Sequence, residues 1–222
     1  MPRQLTFDLP VRTALGRDDF FVAPSNALAV AMIDGWQDWP QRKLIVVGPA
    51  GSGKTHLAQV WALQVGALVI GDVLAADLGR LPQWVVVEDV HLINRAAETA
   101  LFHLHNLVLA AGGSLLLTAA TPPGQWPLAL PDLASRMQAT ATVALDAPDD
   151  ALLAAVLVKL FADRQLAVPP SLIPYLVARM ERSLAAANAL VASLDHHALV
   201  TGRTLTRALA AEVLDLTPEA AP

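Results

Sequence analysis

The sequence predicts an α/β protein, with a parallel five-stranded sheet flanked by helices and a small helical domain C-terminal to it. Three observations carry this prediction. The segment Gly48-Pro49-Ala50-Gly51-Ser52-Gly53-Lys54-Thr55 follows the apolar run Leu44-Ile45-Val46-Val47 without a break, the strand–loop–helix setting of a phosphate-binding loop. Downstream, short apolar runs alternate with longer stretches of helical periodicity, an order that builds a parallel sheet covered on both faces. Beyond Asp146-Ala147-Pro148 the alternation ends and every segment reads as helix.

Residues 1–15 form an extended arm, because Leu5, Phe7 and Leu9 alternate before Pro10. The α/β body occupies 16–147. Its first helix, 25–36, has Leu28, Ala29, Met32 and Ile33 at helical spacing, with Ser25 or Asn26 as N-cap. Then follow strand 43–48, the glycine-rich loop, helix 54–65 and strand 67–71. A loop holding Gly79 and Pro82 leads to strand 84–88, and helix 95–110 ends before Gly112-Gly113. Strand 114–119, a proline-rich turn, helix 130–137 and strand 141–145 complete the body. Residues 148–222 hold helices at 149–165, 170–181, 183–198 and 204–214, separated by Pro169-Pro170 and by Gly202.

With 222 residues, 55% of them hydrophobic, the chain buries a full core. It has no cysteine, which excludes disulfides and thiolate metal sites and agrees with a reducing cytoplasm. No uninterrupted apolar stretch is long enough to span a bilayer, so a soluble cytoplasmic chain is expected. A net charge of −5 argues against a large nucleic-acid surface, which needs clustered Lys and Arg.

The glycine-rich loop predicts nucleotide chemistry. Its glycines let backbone N–H groups turn inward around phosphates, Lys54 reaches the β/γ oxygens, and the Thr55 hydroxyl sits on Mg²⁺. Lys43, Lys54 and Lys159 are the only lysines, so a lysine in this loop is not surface decoration. Trp84-Val85-Val86-Val87 ends in Glu88-Asp89, two acids placed either to flank Mg²⁺ and the γ-phosphate or simply to cap a strand. Acid pairs of this kind usually have Asp first, so the order Glu88 then Asp89 argues for weak or no intrinsic hydrolysis. Thr118 ends its strand, either facing the γ-phosphate or as an ordinary strand-end residue. Arg136 and Arg182 are candidate phosphate contacts, or solvated surface charges.

Several separated segments together resemble the AAA+ core of the DnaA-related family, and most closely its short, Hda-like regulatory members. Phe20 to Asn26 resembles the segment that lies against adenine, which implies nucleotide contacts from Phe21, Val22 and Asn26. Gly53-Lys54-Thr55-His56-Leu57 extends the phosphate loop in the family's manner and adds His56. Thr118-Ala119-Ala120-Thr121-Pro122-Pro123 resembles the sensor 1 region, and Leu133-Ala134-Ser135-Arg136-Met137 the box that holds the arginine finger. The resemblance implies that Arg136 reaches a neighbouring subunit's nucleotide and that Arg182, with Arg179 as the alternative, is the sensor 2 arginine on its own. Departures are Ala120, where the initiator has a polar residue, and the partial match of Arg182-Ser183-Leu184-Ala185. The chain stops after Leu214 without a helix-turn-helix reader, so no direct DNA-binding domain is expected.

Gln4-Leu5-Thr6-Phe7-Asp8-Leu9 resembles the peptide by which Hda-like proteins dock on the β subunit of the DNA polymerase, its sliding clamp. An extended arm offers the Gln4 amide to one pocket and Leu5, Phe7 and Leu9 to an adjacent groove; the alternative is an edge strand packing on its own body. The implied function is a nucleotide-binding regulator that holds ADP or ATP with Mg²⁺. Bound to the clamp, it promotes hydrolysis by the initiator DnaA and so prevents re-initiation. A helicase-loader-type ATPase and a small P-loop kinase are the rival readings, and homo-oligomerisation stays open.

Overall fold

The computed structural model describes residues 21–216; the arm with Gln4, Leu5, Phe7 and Leu9 lies outside them. Strands β1 (Lys43–Val47), β2 (Leu68–Ile70), β3 (Trp84–Val87), β4 (Ser114–Ala119) and β5 (Ala141–Ala144) form one sheet in the order β2-β3-β4-β1-β5. Every pairing is parallel, the sheet the sequence predicts. Helices α1 (Ala27–Asp34), α2 (Lys54–Val65), α3 (Arg95–Ala110) and α4 (Pro131–Gln138) flank it. Helices α5 (Asp150–Asp163), α6 (Leu172–Val177), α7 (Leu184–Thr201) and α8 (Arg207–Leu216) follow.

Side chains alternate across each strand, so one continuous apolar run serves two cores. Ile45, Val47, Val85, Val87, Leu115 and Leu117 face α3 and α4 with Leu101, Leu104, Leu133 and Met137. Leu44, Val46, Val86 and Leu116 face α1 and α2 with Ile33, Leu57 and Trp61. Leu157, Phe161, Leu172, Leu176, Val191, Leu194 and Leu209 make a third core among the last four helices. No helix among the described residues is long and apolar enough to cross a membrane.

Among the departures from the expected bounds, two have a visible tertiary reason. The first helix covers only Ala27–Asp34, because the chain then turns through two short 3₁₀ segments that aim Trp36 and Trp39 inward. Their rings lie 6.1 and 5.1 Å from Trp61, and the Trp39 indole N–H donates to the Met32 carbonyl at 2.6 Å. Residues 170–181 give only α6, Leu172–Val177. Arg179 and Met180 N–H groups both close onto the Leu176 carbonyl, and the chain straightens so that Ser183, extended at φ −146°, caps α7 by accepting from the Ala186 N–H.

Candidate nucleotide-binding site

β1 lies between β4 and β5, and the glycine-rich loop leaves its carboxyl end. Gly53 takes φ 102° and Gly51 φ 73°, a left-handed backbone that favours glycine and turns the loop around its own amides before α2 begins at Lys54. Lys54 is 8% exposed. Its Nζ donates to the carbonyls of Gly48 and Pro49, both at 2.8 Å, so the ammonium is held over the loop. Burial lowers its pKa from 10.5, and the carboxylate of Asp89 opposes that shift. Pro49, Ala50 and Thr55 are exposed at the rim, and His56 is half-buried in the first turn of α2.

β4 separates β1 from β3, and it links the loop to the acids. Thr118, 1% exposed, pairs in register with Val46 of β1, and its Oγ1 accepts the Asp89 N–H at 3.1 Å. This bond helps hold Asp89 at φ 49°, a left-handed conformation costly for a residue with a side chain. Glu88 N–H donates to the Ile70 carbonyl, which continues the ladder beyond β3. Glu88 Oε1 and Ser52 Oγ are buried without a hydrogen-bond partner, unlike most buried polar groups. An unpaired Ser52 oxygen in a glycine cradle with a buried ammonium, and an unpaired carboxylate oxygen at the end of β3, fit a phosphate chain with its cation. Thr55 and Glu88 are hard oxygen donors of the type Mg²⁺ takes alongside phosphates.

Phe21 and Val22 are 42% and 55% exposed, whereas Asn26 is 3% exposed. Asn26 leaves the N-terminus of α1 uncapped by its side chain. Instead its Nδ2 donates to the Phe21 carbonyl and its Oδ1 accepts the Ala23 N–H, both at 2.8 Å. The Asp146 N–H donates to the Ser25 carbonyl and ties this segment to the end of β5. Two apolar side chains are thereby displayed outward on a fixed backbone.

The helical C-terminal part meets the loop through residues the sequence does not single out. Leu184 N–H donates to the Gly51 carbonyl at 2.8 Å. A Cβ on Gly51 would strike the Ser183 side chain, and one on Gly53 would come 2.9 Å from Leu184 Cδ1. Arg182, the residue before Ser183, pairs with Asp150 on α5, with both side chains more than half exposed. Arg179 stacks over the Tyr175 ring at 4.1 Å. The residues in direct contact with the loop glycines are Ser183 and Leu184, next to Arg182 in the chain. The only trace in the sequence is Ser183, a good N-cap preceding an Ala-rich helix.

Arg136 lies apart from all of these. It is exposed in the last turn of α4, which leads into β5 where Ala141 pairs with Leu44. That is the end of the sheet opposite the phosphate loop. Its Nη1 donates to Asn106 Oδ1 at 2.9 Å, and its guanidinium carbon is 4.9 Å from the centre of the Phe102 ring.

No family model matches the chain. Over 94% of its length it is 26% identical to the chromosomal replication initiator protein DnaA of Sphingopyxis alaskensis, of which it covers 55%. It superposes on domain III of DnaA from Thermotoga maritima with a TM-score of 0.79 at 20% identity, covering 93% of this chain and 98% of that one. The chain is similar in sequence to DnaA and has the AAA+ fold of its domain III. The AMPPCP-bound DnaA of Aquifex aeolicus also superposes, with a TM-score of 0.65 at 16% identity over 80% of this chain and 64% of that one.

Proposed function

We propose that this DnaA-related chain is a nucleotide-holding regulator of replication initiation. Docked on the sliding clamp through Gln4, Leu5, Phe7 and Leu9, it presents Arg136 to ATP bound on the initiator DnaA and completes that protein's hydrolysis. The position of Arg136 is the observation that carries this reading. A five-residue strand at about 3.3 Å per residue places the two ends of β1 about 13 Å apart. Its own phosphate loop leaves one end and Arg136 sits near the other, which supports reading the guanidinium as serving a phosphate that belongs to another molecule. An arginine supplied in trans stabilises charge on a transferring phosphoryl group, commonly by several orders of magnitude in rate.

The chain's own nucleotide, ADP or ATP, has a supporting role in this reading. The amides from Gly48 to Gly53 and the Lys54 ammonium bind its phosphates, Phe21 and Val22 flank its base, and Thr55 and Glu88 hold Mg²⁺. Ser183 and Leu184 close on the loop from α7, so a filled site fixes the helical domain against the sheet. With Glu88 and Asp89 in reversed order and Leu184 at the loop, turnover of this nucleotide is weak or absent.

The test is a reconstituted reaction with clamp loaded on DNA, ATP-bound DnaA and the full chain. Wild type accelerates hydrolysis of the DnaA-bound ATP, and Arg136→Ala loses the acceleration while still binding the clamp. Full acceleration by Arg136→Ala sinks the proposal. ATPase activity of the isolated chain that rises with single-stranded DNA favours a DNA-remodelling motor instead.

A further inference from the structure

Lys43 opens β1 at 2% exposure, and no carboxylate among the described residues forms an ion pair with it. A buried ammonium without a counter-charge is expensive unless its donors are satisfied. Its Nζ donates to the Arg136 carbonyl at 3.2 Å and lies 3.4 Å from Nε2 of His105. His105, itself 2% exposed, has Nδ1 3.3 Å from Asn106 Oδ1. The same Oδ1 accepts from the Arg136 guanidinium.

We propose that Lys43 sets the polarity of a hydrogen-bonded chain, through His105 and Asn106, that fixes the orientation of Arg136. The inference rests on reading Arg136 as the residue presented to a partner's phosphate. Each link dictates the next. An ammonium has donors only, so the His105 Nε2 facing it is the acceptor and the ring proton sits on Nδ1. A protonated Nδ1 donates, so Asn106 turns its oxygen toward the ring, and that oxygen then receives the Arg136 Nη1–H. With the amide reversed, an NH₂ group would face both a ring N–H and a guanidinium N–H. Thr140 Oγ1 adds a second donor to the Arg136 carbonyl at 2.8 Å, and the Phe102 ring supports the guanidinium from one face. Burial lowers the His105 pKa from 6.5 against the opposing bond to Asn106, with Lys43 and Arg136 adding to the fall, which keeps the ring neutral as the chain of donors requires.

Lys43, His105 and Asn106 are thus positioning residues. Two measurements test them on the full chain without any partner. Histidine ¹⁵N shifts, with His105 assigned through His105→Gln, report which ring nitrogen is protonated; wild type is expected to show Nδ1–H, and Lys43→Met the alternative Nε2–H tautomer. Modification of Arg136 by phenylglyoxal, followed by mass spectrometry, is expected to be faster in Lys43→Met and Asn106→Ala than in wild type. In the clamp and DnaA reaction both variants lower maximal stimulation by about tenfold or more with the half-maximal concentration unchanged, while Phe102→Tyr, which keeps the ring face, retains it. An Nε2–H ring in wild type, or a Lys43→Met protein with unchanged tautomer and unchanged Arg136 modification, overturns the inference. If Lys43→Met does not fold, Arg136 modification in Asn106→Ala decides. Full stimulation by Arg136→Ala with the spectroscopic changes present leaves the positioning chain standing and overturns only the function assigned to Arg136.

Discussion

The backbone N–H of Leu184 and the carbonyl of Gly51 share a 2.8 Å hydrogen bond, which joins the first residue of α7 to the phosphate loop. The Ser183 side chain fills the space where a Gly51 side chain would begin, and Leu184 Cδ1 does the same at Gly53. Two loop glycines therefore serve two purposes, the turn itself and the docking of the last four helices.

Gly51→Ala is expected to damage both. A left-handed alanine costs about 1 kcal/mol, and moving Ser183 and its cap adds about 1 kcal/mol more. Gly66→Ala is the control, because Gly66 has the same φ of 73° with nothing within 4 Å of an added Cβ. At about 2–4 °C per kcal/mol for a chain of this size, Gly51→Ala is expected to melt several degrees below Gly66→Ala. Equal melting temperatures would show that the Ser183 contact contributes nothing.

Leu184, at the head of α7 and in contact with Gly51 and Gly53, offers no charge to phosphates held by the loop. Introducing a charge-assisted hydrogen bond, about 1.5–3 kcal/mol, through Leu184→Arg is expected to shift preference toward the triphosphate by about tenfold or more. Calorimetric titration of ADP and a non-hydrolysable ATP analogue against both proteins decides it. An unchanged preference in Leu184→Arg would show that the head of α7 does not face the bound phosphates.

Where local signals are complete, the sequence reading and the structure agree closely. The helices 54–65 and 95–110 and the strand 114–119 match α2, α3 and β4 end to end, because glycines or a run of buried residues mark their limits. Agreement fails where a distant contact outweighs local preference. Nothing near residues 178–183 announces that α6 must stop so that Ser183 reaches a loop more than a hundred residues away, so the contacts of Ser183 and Leu184 with that loop go unforeseen. Lys43 is visible as a lone lysine heading an apolar strand, yet its partners His105 and Arg136 lie 62 and 93 residues further on. Side-chain chains of this kind are invisible to periodicity.

Lys54 carries a pH dependence of known sign. Burial outweighs the attraction of Asp89 and lowers its pKa below 10.5, so its charge is lost at lower pH than for an exposed lysine. Nucleotide affinity is expected to fall as pH rises through that lowered pKa, and to do so at lower pH than an exposed lysine would give. Lys54→Ala is expected to abolish the nucleotide-induced rise in melting temperature, about 2.7 kcal/mol at a hundredfold excess over Kd. The ligand-free melting temperature should change little, because the cost of burying the ammonium is removed together with its two bonds to the loop carbonyls. A Lys54→Ala protein that is still stabilised by nucleotide would show that the loop binds without it.

Asn26 is the last link between the loop and the outward display of Phe21 and Val22. Its side chain spends both hydrogen-bonding ends on the Phe21 carbonyl and the Ala23 N–H, so Asn26→Ala leaves two backbone groups to find water. Each lost bond is worth about 1 kcal/mol, enough to release the segment without unfolding α1, whose Ala29, Val30 and Ile33 stay buried. The phosphate contacts are untouched. Affinity for inorganic tripolyphosphate is therefore expected to stay within about twofold of wild type, while affinity for adenine nucleotide falls by about tenfold, the equivalent of 1.4 kcal/mol. Competition of both ligands against a fluorescent nucleotide measures the pair, and a parallel loss for tripolyphosphate would mean that Asn26 supports the phosphate loop and not the base.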